Sequence, residues 1–160
     1  MSKSRFTCLT FLLLAWVLVL PGAPLRAQSA PCQQITDAEV ARLFDRWNDS
    51  LGTLDPDKVV ANYAATASLL PTVQNGPLVG RDAIRGYFVT FLADHPHGTI
   101  NRRLITRGCN IAYDIGLYTF TYQGKPPTKA RYTFIYEYEP EGKTWLIVHH
   151  HSSKQPVSTP

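Results

Sequence analysis

The chain lacks the marks of several large function classes. It has no basic stripe with interleaved aromatic residues, so a nucleic-acid surface is not expected. It has no glycine-rich dinucleotide motif, and no cofactor is expected. Internal repeats and low-complexity segments are absent as well. Cysteine is scarce, with three in 160 residues, and charged residues make up only 18%. A metal centre would need a third ligand beside the histidines near the C-terminus. His95 and His97 sit in a loop with no diagnostic relation to them, so no metal is expected.

The front of the chain reads as a secretory signal peptide. Lys3 and Arg5 form a basic start, and Phe6 to Leu20 is almost wholly apolar. Pro21-Gly22 breaks that run, and small residues follow at Ala23, Ala27 and Ala30. Cleavage is expected after Ala27, giving a 1–27 signal, a 28–35 lead-in, a 36–155 domain and a 156–160 tail. The apolar run is short for a membrane span, so no stable anchor is expected after cleavage. A lipoprotein is not expected, because Ser29-Ala30-Pro31 carries no branched apolar residue three places before Cys32. The expected location is secreted or periplasmic.

Export changes two counts. The formal charge is +4, but Lys3, Arg5 and Arg26 leave with the signal, taking sixteen bases to thirteen against twelve acids, or +1. Cys8 leaves too, and the remaining Cys32 and Cys109 are expected to pair, the alternative being two buried free thiols. In the chain-entropy model such a bridge is worth about 4 kcal/mol. The residues left, about 130, suit one domain with one core.

Thr36-Asp37-Ala38-Glu39 is a capping box, with Ile35 and Val40 placed as a hydrophobic staple. Val40, Leu43, Phe44, Trp47 and Leu51 then recur at helical spacing. Asn48-Asp49-Ser50 fits a glycosylation sequon but falls inside this helix. Asp55-Pro56-Asp57 opens a short second helix, with Val59, Val60 and Tyr63 as its apolar face. A short strand over 67–71, a loop to Gly80 and a third helix through Phe91-Leu92 follow. Four longer strands complete the chain, over 99–106, 111–123, 130–139 and 144–152. The layout is α+β, with helices packed on one side of a curved antiparallel sheet.

The last strand carries the chemistry. Trp145, Ile147, His149 and His151 share one face by strict alternation, and Leu146, Val148, His150 and Ser152 share the other. A strand passing from an apolar floor to imidazoles reads as a pocket wall, with His149 and His151 in the pocket and His150 at an interface or in solvent. By the same alternation Arg131, Thr133 and Ile135 share one face. A buried guanidinium there needs a partner, either a ligand carboxylate or an acid such as Asp45 or Asp49; otherwise it snorkels to solvent. Tyr132, Phe134, Tyr136 and Tyr138 share the other face, and Tyr132, Tyr136 and Tyr138 read as an oligomer surface. Tyr118, with Phe120 and Tyr122, and Trp47 on the first helix are candidates to line the pocket.

Taken in order, Leu43-Phe44-Asp45-Arg46-Trp47-Asn48, Asp55 to Val60, Leu69-Leu70-Pro71-Thr72-Val73, Ile84 to Phe88, Gly116 to Phe120, Ala130-Arg131-Tyr132-Thr133-Phe134 and Trp145 to Ser153 form a pattern. Over about residues 33–155 the chain resembles the association domain of calcium/calmodulin-dependent protein kinase II in its bacterial stand-alone form. That family belongs to the nuclear transport factor two-like, or SnoaL-like, superfamily, and similar sequences carry the label SgcJ/EcaC family. The resemblance implies a cone-shaped fold, three N-terminal helices on a strongly curved antiparallel sheet, with a cavity between. It also implies homo-oligomers built through the sheet's outer surface, and a cavity arginine at Arg131 that meets a small organic anion. Bacterial members often carry the same two cysteines. The chain has no kinase domain and no calmodulin-binding segment, which argues against calmodulin binding. The expected function is an exported oligomeric protein with a pocket for a small carboxylate. The alternative is a SnoaL-like enzyme (cyclase, isomerase, hydrolase or oxidoreductase) with acid/base residues in the cavity.

Overall fold

The structure is a computed structural model that describes residues 31–156. The expected signal peptide and most of the tail lie outside the described residues. Helix α1 spans Asp37–Gly52. Its capping box forms as the sequence suggests: Glu39 N donates to Thr36 Oγ1 (3.2 Å), and Thr36 N donates to the Glu39 carboxylate (2.8 Å). Val40, Leu43, Phe44, Trp47 and Leu51 are buried along one stripe. Asn48 is buried with them and clasps strand β3, donating to Gly98 O (3.0 Å) and accepting from Gly98 N (2.8 Å). Its amide, the acceptor of the sequon, is therefore occupied inside the fold. A Cβ at Gly98 would lie 3.1 Å from Asn48 Oδ1, so a larger residue there would have to push the clasping amide back by a few tenths of an ångström.

Helix α2 (Pro56–Val60) is capped by the Asp55 side chain, which accepts from Asp57 N at 2.9 Å. It is shorter than expected, and Tyr63 opens strand β1 (Tyr63–Leu70) instead of extending the helix face. A two-residue strand β2 (Leu78–Val79) precedes helix α3 (Arg81–Phe91). Strands β3 (His97–Arg107), β4 (Ile111–Thr121), β5 (Thr128–Glu139) and β6 (Thr144–Lys154) complete one six-stranded sheet in the order β2-β1-β6-β5-β4-β3. All neighbours are antiparallel except β1 and β6. Among the described residues no helix is long and apolar enough to cross a membrane.

Two β-bulges decide which residues face the helices. On β3 the register slips between Ile100 and Arg102 against Tyr118 and Leu117, leaving Asn101 as the extra residue. On β6 it slips where Ile147 pairs with Tyr136 and His149 with Ile135, leaving Val148 as the extra residue. Each extra residue reverses the alternation beyond it. Gly116 lies opposite the first bulge, where a Cβ would fall 1.9 Å from Arg102 O, so no other residue fits this backbone.

Cys32 and Cys109 are bonded, with Cα atoms 5.1 Å apart. The bond ties the segment before α1 to the β3–β4 turn. Asn110 reinforces it, its Oδ1 accepting from Gln33 N at 2.6 Å. Such a bond fits an oxidising compartment.

Candidate functional site

The inner face of the sheet, beneath α1 and α3, is built from Tyr118, Phe120, Tyr132, Phe134, Tyr136, Ile147, His150 and Ser152, all buried. Two expectations are thereby corrected. The aromatic stripe Tyr132, Phe134, Tyr136 is core and not an oligomer surface, with Tyr138 half-buried against it. Arg131, Thr133 and Ile135 face the opposite way, and Arg131 is exposed. Large aromatic side chains gain most from being covered by the helices, so they take the inner face and the guanidinium keeps its water. The bulge at Val148 corrects the histidines in the same manner: His150 and Ser152 turn inward, and His149 and His151 turn outward.

Inside, two polar groups of side chains sit in aromatic walls. Trp47 Nε1 donates to Tyr63 Oη (3.1 Å), and Tyr63 Oη lies 2.9 Å from His150 Nδ1. The His150 ring stacks on Phe134 with centroids 4.0 Å apart and meets Trp47 edge-on at 5.2 Å. Burial, helped by His149 and His151, lowers the His150 pKa from 6.5 to about 3, so the ring is neutral. Proton economy favours one tautomer. Tyr63 accepts the indole proton and has one of its own to give; giving it to Nδ1 leaves the ring proton on Nε2. His150 Nε2 is buried without a partner. Nearby, Tyr118 Oη donates to Ser152 Oγ (2.6 Å), and Ser152 Oγ also bonds Thr72 Oγ1. Both groups border a cavity of about 10 Å³, lined also by Leu69, Tyr87, Phe88 and Phe91. Desolvation raises the pKa of Tyr63 and of Tyr118, so both phenols stay protonated.

A third polar group lies across the same face. Asp114 is fully buried and accepts from Tyr132 Oη at 2.8 Å. Arg103 Nε is 2.9 Å from Asp114 Oδ2, but its N–H is not aimed along that line, and Arg103 Nη2 has no partner. The guanidinium also sits 5.4 Å from the centre of the Phe44 ring. Burial raises the Asp114 pKa, opposed by Tyr132 and Arg103.

The five residues expected at one ligand site are divided by the sheet. Trp47 and Tyr118 line the inner cavity. Arg131 and His151 meet on the outer face, with Thr133 and Ser153, around an open notch of about 290 Å³. His149 is beside them, its Nδ1 2.8 Å from Ser68 Oγ, with a pKa lowered by burial and then by His151. Asp45 and Asp49 are exposed on α1 and belong to neither site. No carboxylate lines the inner cavity among the described residues, and no three His, Cys, Asp or Glu side chains among them gather as a metal site. Sequence reasoning missed His150, Ser152, Tyr63 and Thr72. The first two were hidden by a bulge; of the other two, Tyr63 opens strand β1 and was read as helix, and Thr72 lies two residues past its end and was read as loop.

The model of the calcium/calmodulin dependent protein kinase II association domain matches residues 36–156. No curated protein matches the chain. Among solved structures, a protein from Xanthomonas campestris assigned as such an association domain is 44% identical. The match covers 74% of this chain and 87% of that one, with a TM-score of 0.71. A candidate dehydratase of the NTF2-like family from Streptomyces avermitilis is 12% identical over 75% of this chain and 96% of its own, with a TM-score of 0.66. A candidate ketosteroid isomerase from Parabacteroides distasonis is 18% identical over 76% and 89%, at 0.60. The last two share the fold alone. With its capped first helix, its bent sheet and a family match running from Thr36 to Pro156, the chain belongs to the calcium/calmodulin-dependent protein kinase II association-domain family.

Proposed function

We propose that this protein is an exported homo-oligomer that associates through the outer face of its sheet. The observation that carries this reading is an apolar patch with no helix over it. Leu104 is 56% exposed and Tyr113 39%. Register sets Leu104 beside Ile115 and Tyr113 beside Ile135, with Leu117 next along β4. Arg131, Thr133, His149 and His151 border the patch, giving an apolar centre with a polar rim, as protein interfaces have. The Cys32–Cys109 bond supports export, since such bonds persist outside reducing compartments. In this reading a small organic anion is held at the outer notch by the Arg131 guanidinium, with His151 beside it, at the edge of the association surface. The enzyme alternative has less support, because an imidazole working with a carboxylate needs both in one cavity.

Light scattering on the size-separated 28–160 chain tests the reading. At least a dimer is expected, and Leu104→Asp should yield monomer with an unchanged circular-dichroism spectrum. A wild-type monomer at high micromolar concentration would overturn it.

A further inference from the structure

The chain has five asparagines, and four have their amides tied down. Asn48 clasps Gly98 from inside the core. Asn62 is buried, its Oδ1 accepting from Arg46 Nε at 2.8 Å and its Nδ2 donating to Val59 O at 3.1 Å. Asn101 Oδ1 accepts from Thr119 Oγ1 at 2.7 Å, and Asn110 Oδ1 from Gln33 N at 2.6 Å. Asn75 differs. It stands exposed in the loop between β1 and β2, and neither its amide nor the Gly76 N–H is hydrogen-bonded within the described residues.

The local sequence explains this freedom. An asparagine in a turn commonly ties its side-chain oxygen to the backbone N–H two residues on. Two residues past Asn75 is Pro77, which has no N–H to give. Between them stands Gly76, with φ at 82°, a backbone that favours glycine. No atom lies within 4 Å of its would-be Cβ, so nothing crowds the approach of the Asn75 side chain to the Gly76 nitrogen. The other four asparagines are followed by Asp49, Tyr63, Arg102 and Ile111, each of which carries a Cβ.

We propose that Asn75 is a site of spontaneous covalent change, turning into aspartate or isoaspartate through attack by the Gly76 backbone nitrogen, with water as the sole co-reactant. The Gly76 nitrogen forms a bond to Asn75 Cγ. The Cγ–Nδ2 bond breaks, and Nδ2 leaves as ammonia with the proton that Gly76 gave up. The resulting five-membered succinimide takes up one water. Opening at the side-chain carbonyl gives aspartate, and opening at the main-chain carbonyl gives isoaspartate.

Either product carries a new carboxylate. In the 28–160 form the thirteen bases then face thirteen acids, and the formal charge falls from +1 to zero, where repulsion between copies is weakest. Isoaspartate also adds one methylene to the backbone. The loop's ends hold that slack in place: Thr72 bonds Ser152 before it, and after it Leu78 pairs with Leu69 while Gly80 N donates to Ala67 O at 2.8 Å. The change therefore alters the surface and leaves the sheet intact. It depends neither on the oligomer nor on the outer notch.

Peptide mapping by mass spectrometry tests the proposal on the folded 28–160 chain, warmed at pH 8 and sampled over time. Residue 75 should exchange –NH2 for –OH at least tenfold faster than any other asparagine. Its rate should lie within tenfold of that in a free peptide copied from residues 72–78, because the fold gives this amide no protection. Labelling by an isoaspartate methyltransferase should grow in parallel and be lost in Asn75→Gln. Equal conversion at another asparagine, a folded rate more than tenfold below that of the peptide, or labelling unchanged in Asn75→Gln would each overturn the proposal.

Discussion

The two faces of the sheet each carry an arginine, in adjoining rows of the same ladder. Arg103 pairs in register with Gly116 and so stands in line with Tyr132, while Arg131 pairs with Leu117. Arg103 is folded under α1, against Phe44 and the buried carboxylate of Asp114. Arg131 stands in solvent beside His151 and Ser153. Both have the same charge and the same side-chain length, yet one is part of the core and the other is free to meet a ligand. The difference teaches that a guanidinium on a strand takes its role from the parity of its position, and that for Arg103 parity is set by the bulge at Asn101.

The largest expected effect separates the two arginines. Arg103→Ala strands the Asp114 charge among aromatic rings, and removing one partner of a buried pair costs about 3–5 kcal/mol. Urea unfolding should show this loss, and a loss below about 1 kcal/mol would mean that the pair is not closed in solution. Next comes His150, the buried imidazole. Its folded pKa, about 3, lies below the ordinary 6.5, so the unfolded chain takes up the proton first. Stability is therefore full above about pH 6.5 and falls as the pH drops toward 3. Between pH 7 and pH 5 the loss from this group is about 2 kcal/mol. The half-exposed His149, whose pKa is lowered too, adds in the same direction. The slope should flatten in His150→Phe, as measured by chemical denaturation at both pH values. The smallest effect belongs to Arg131→Ala, which should change folding stability by less than about 0.5 kcal/mol. A larger loss would place that side chain in a contact that the monomer does not make.

Much of the fold was legible. Thr36 and Glu39 announced the start of α1, Asp55 and Pro56 the start of α2, and the run of Thr, Tyr, Ile and Phe after Gly98 the long strands. Trp47 and Tyr118 were read as candidates to line the pocket, and both border the inner cavity. The sidedness of β5 and β6 was not legible, for two different reasons. On β5 the alternation was right but nothing local says which of two faces the helices cover; the weight of Tyr132, Phe134 and Tyr136 decided it against Arg131. On β6 the alternation itself fails at Val148. A β-branched residue in a Val-Ile-rich strand gives no hint of a bulge, and only pairing with Tyr136 and Ile135 reveals one. Tyr63 was misplaced because a short apolar run suits a helix face and a strand start equally well.

The single unpaired residue at 148 has a consequence for comparing this chain with its kin. Loss of that one codon would restore even spacing without moving any imidazole, because the bulge only absorbs the extra residue: Ile147 and His150 would stay inward, and His149 and His151 outward. Two aligned chains that differ by such a gap would present the same surface, whereas a chain that keeps the residue but threads it into an even strand would turn its imidazoles over, so columns there report chemistry only after the pairing has been counted.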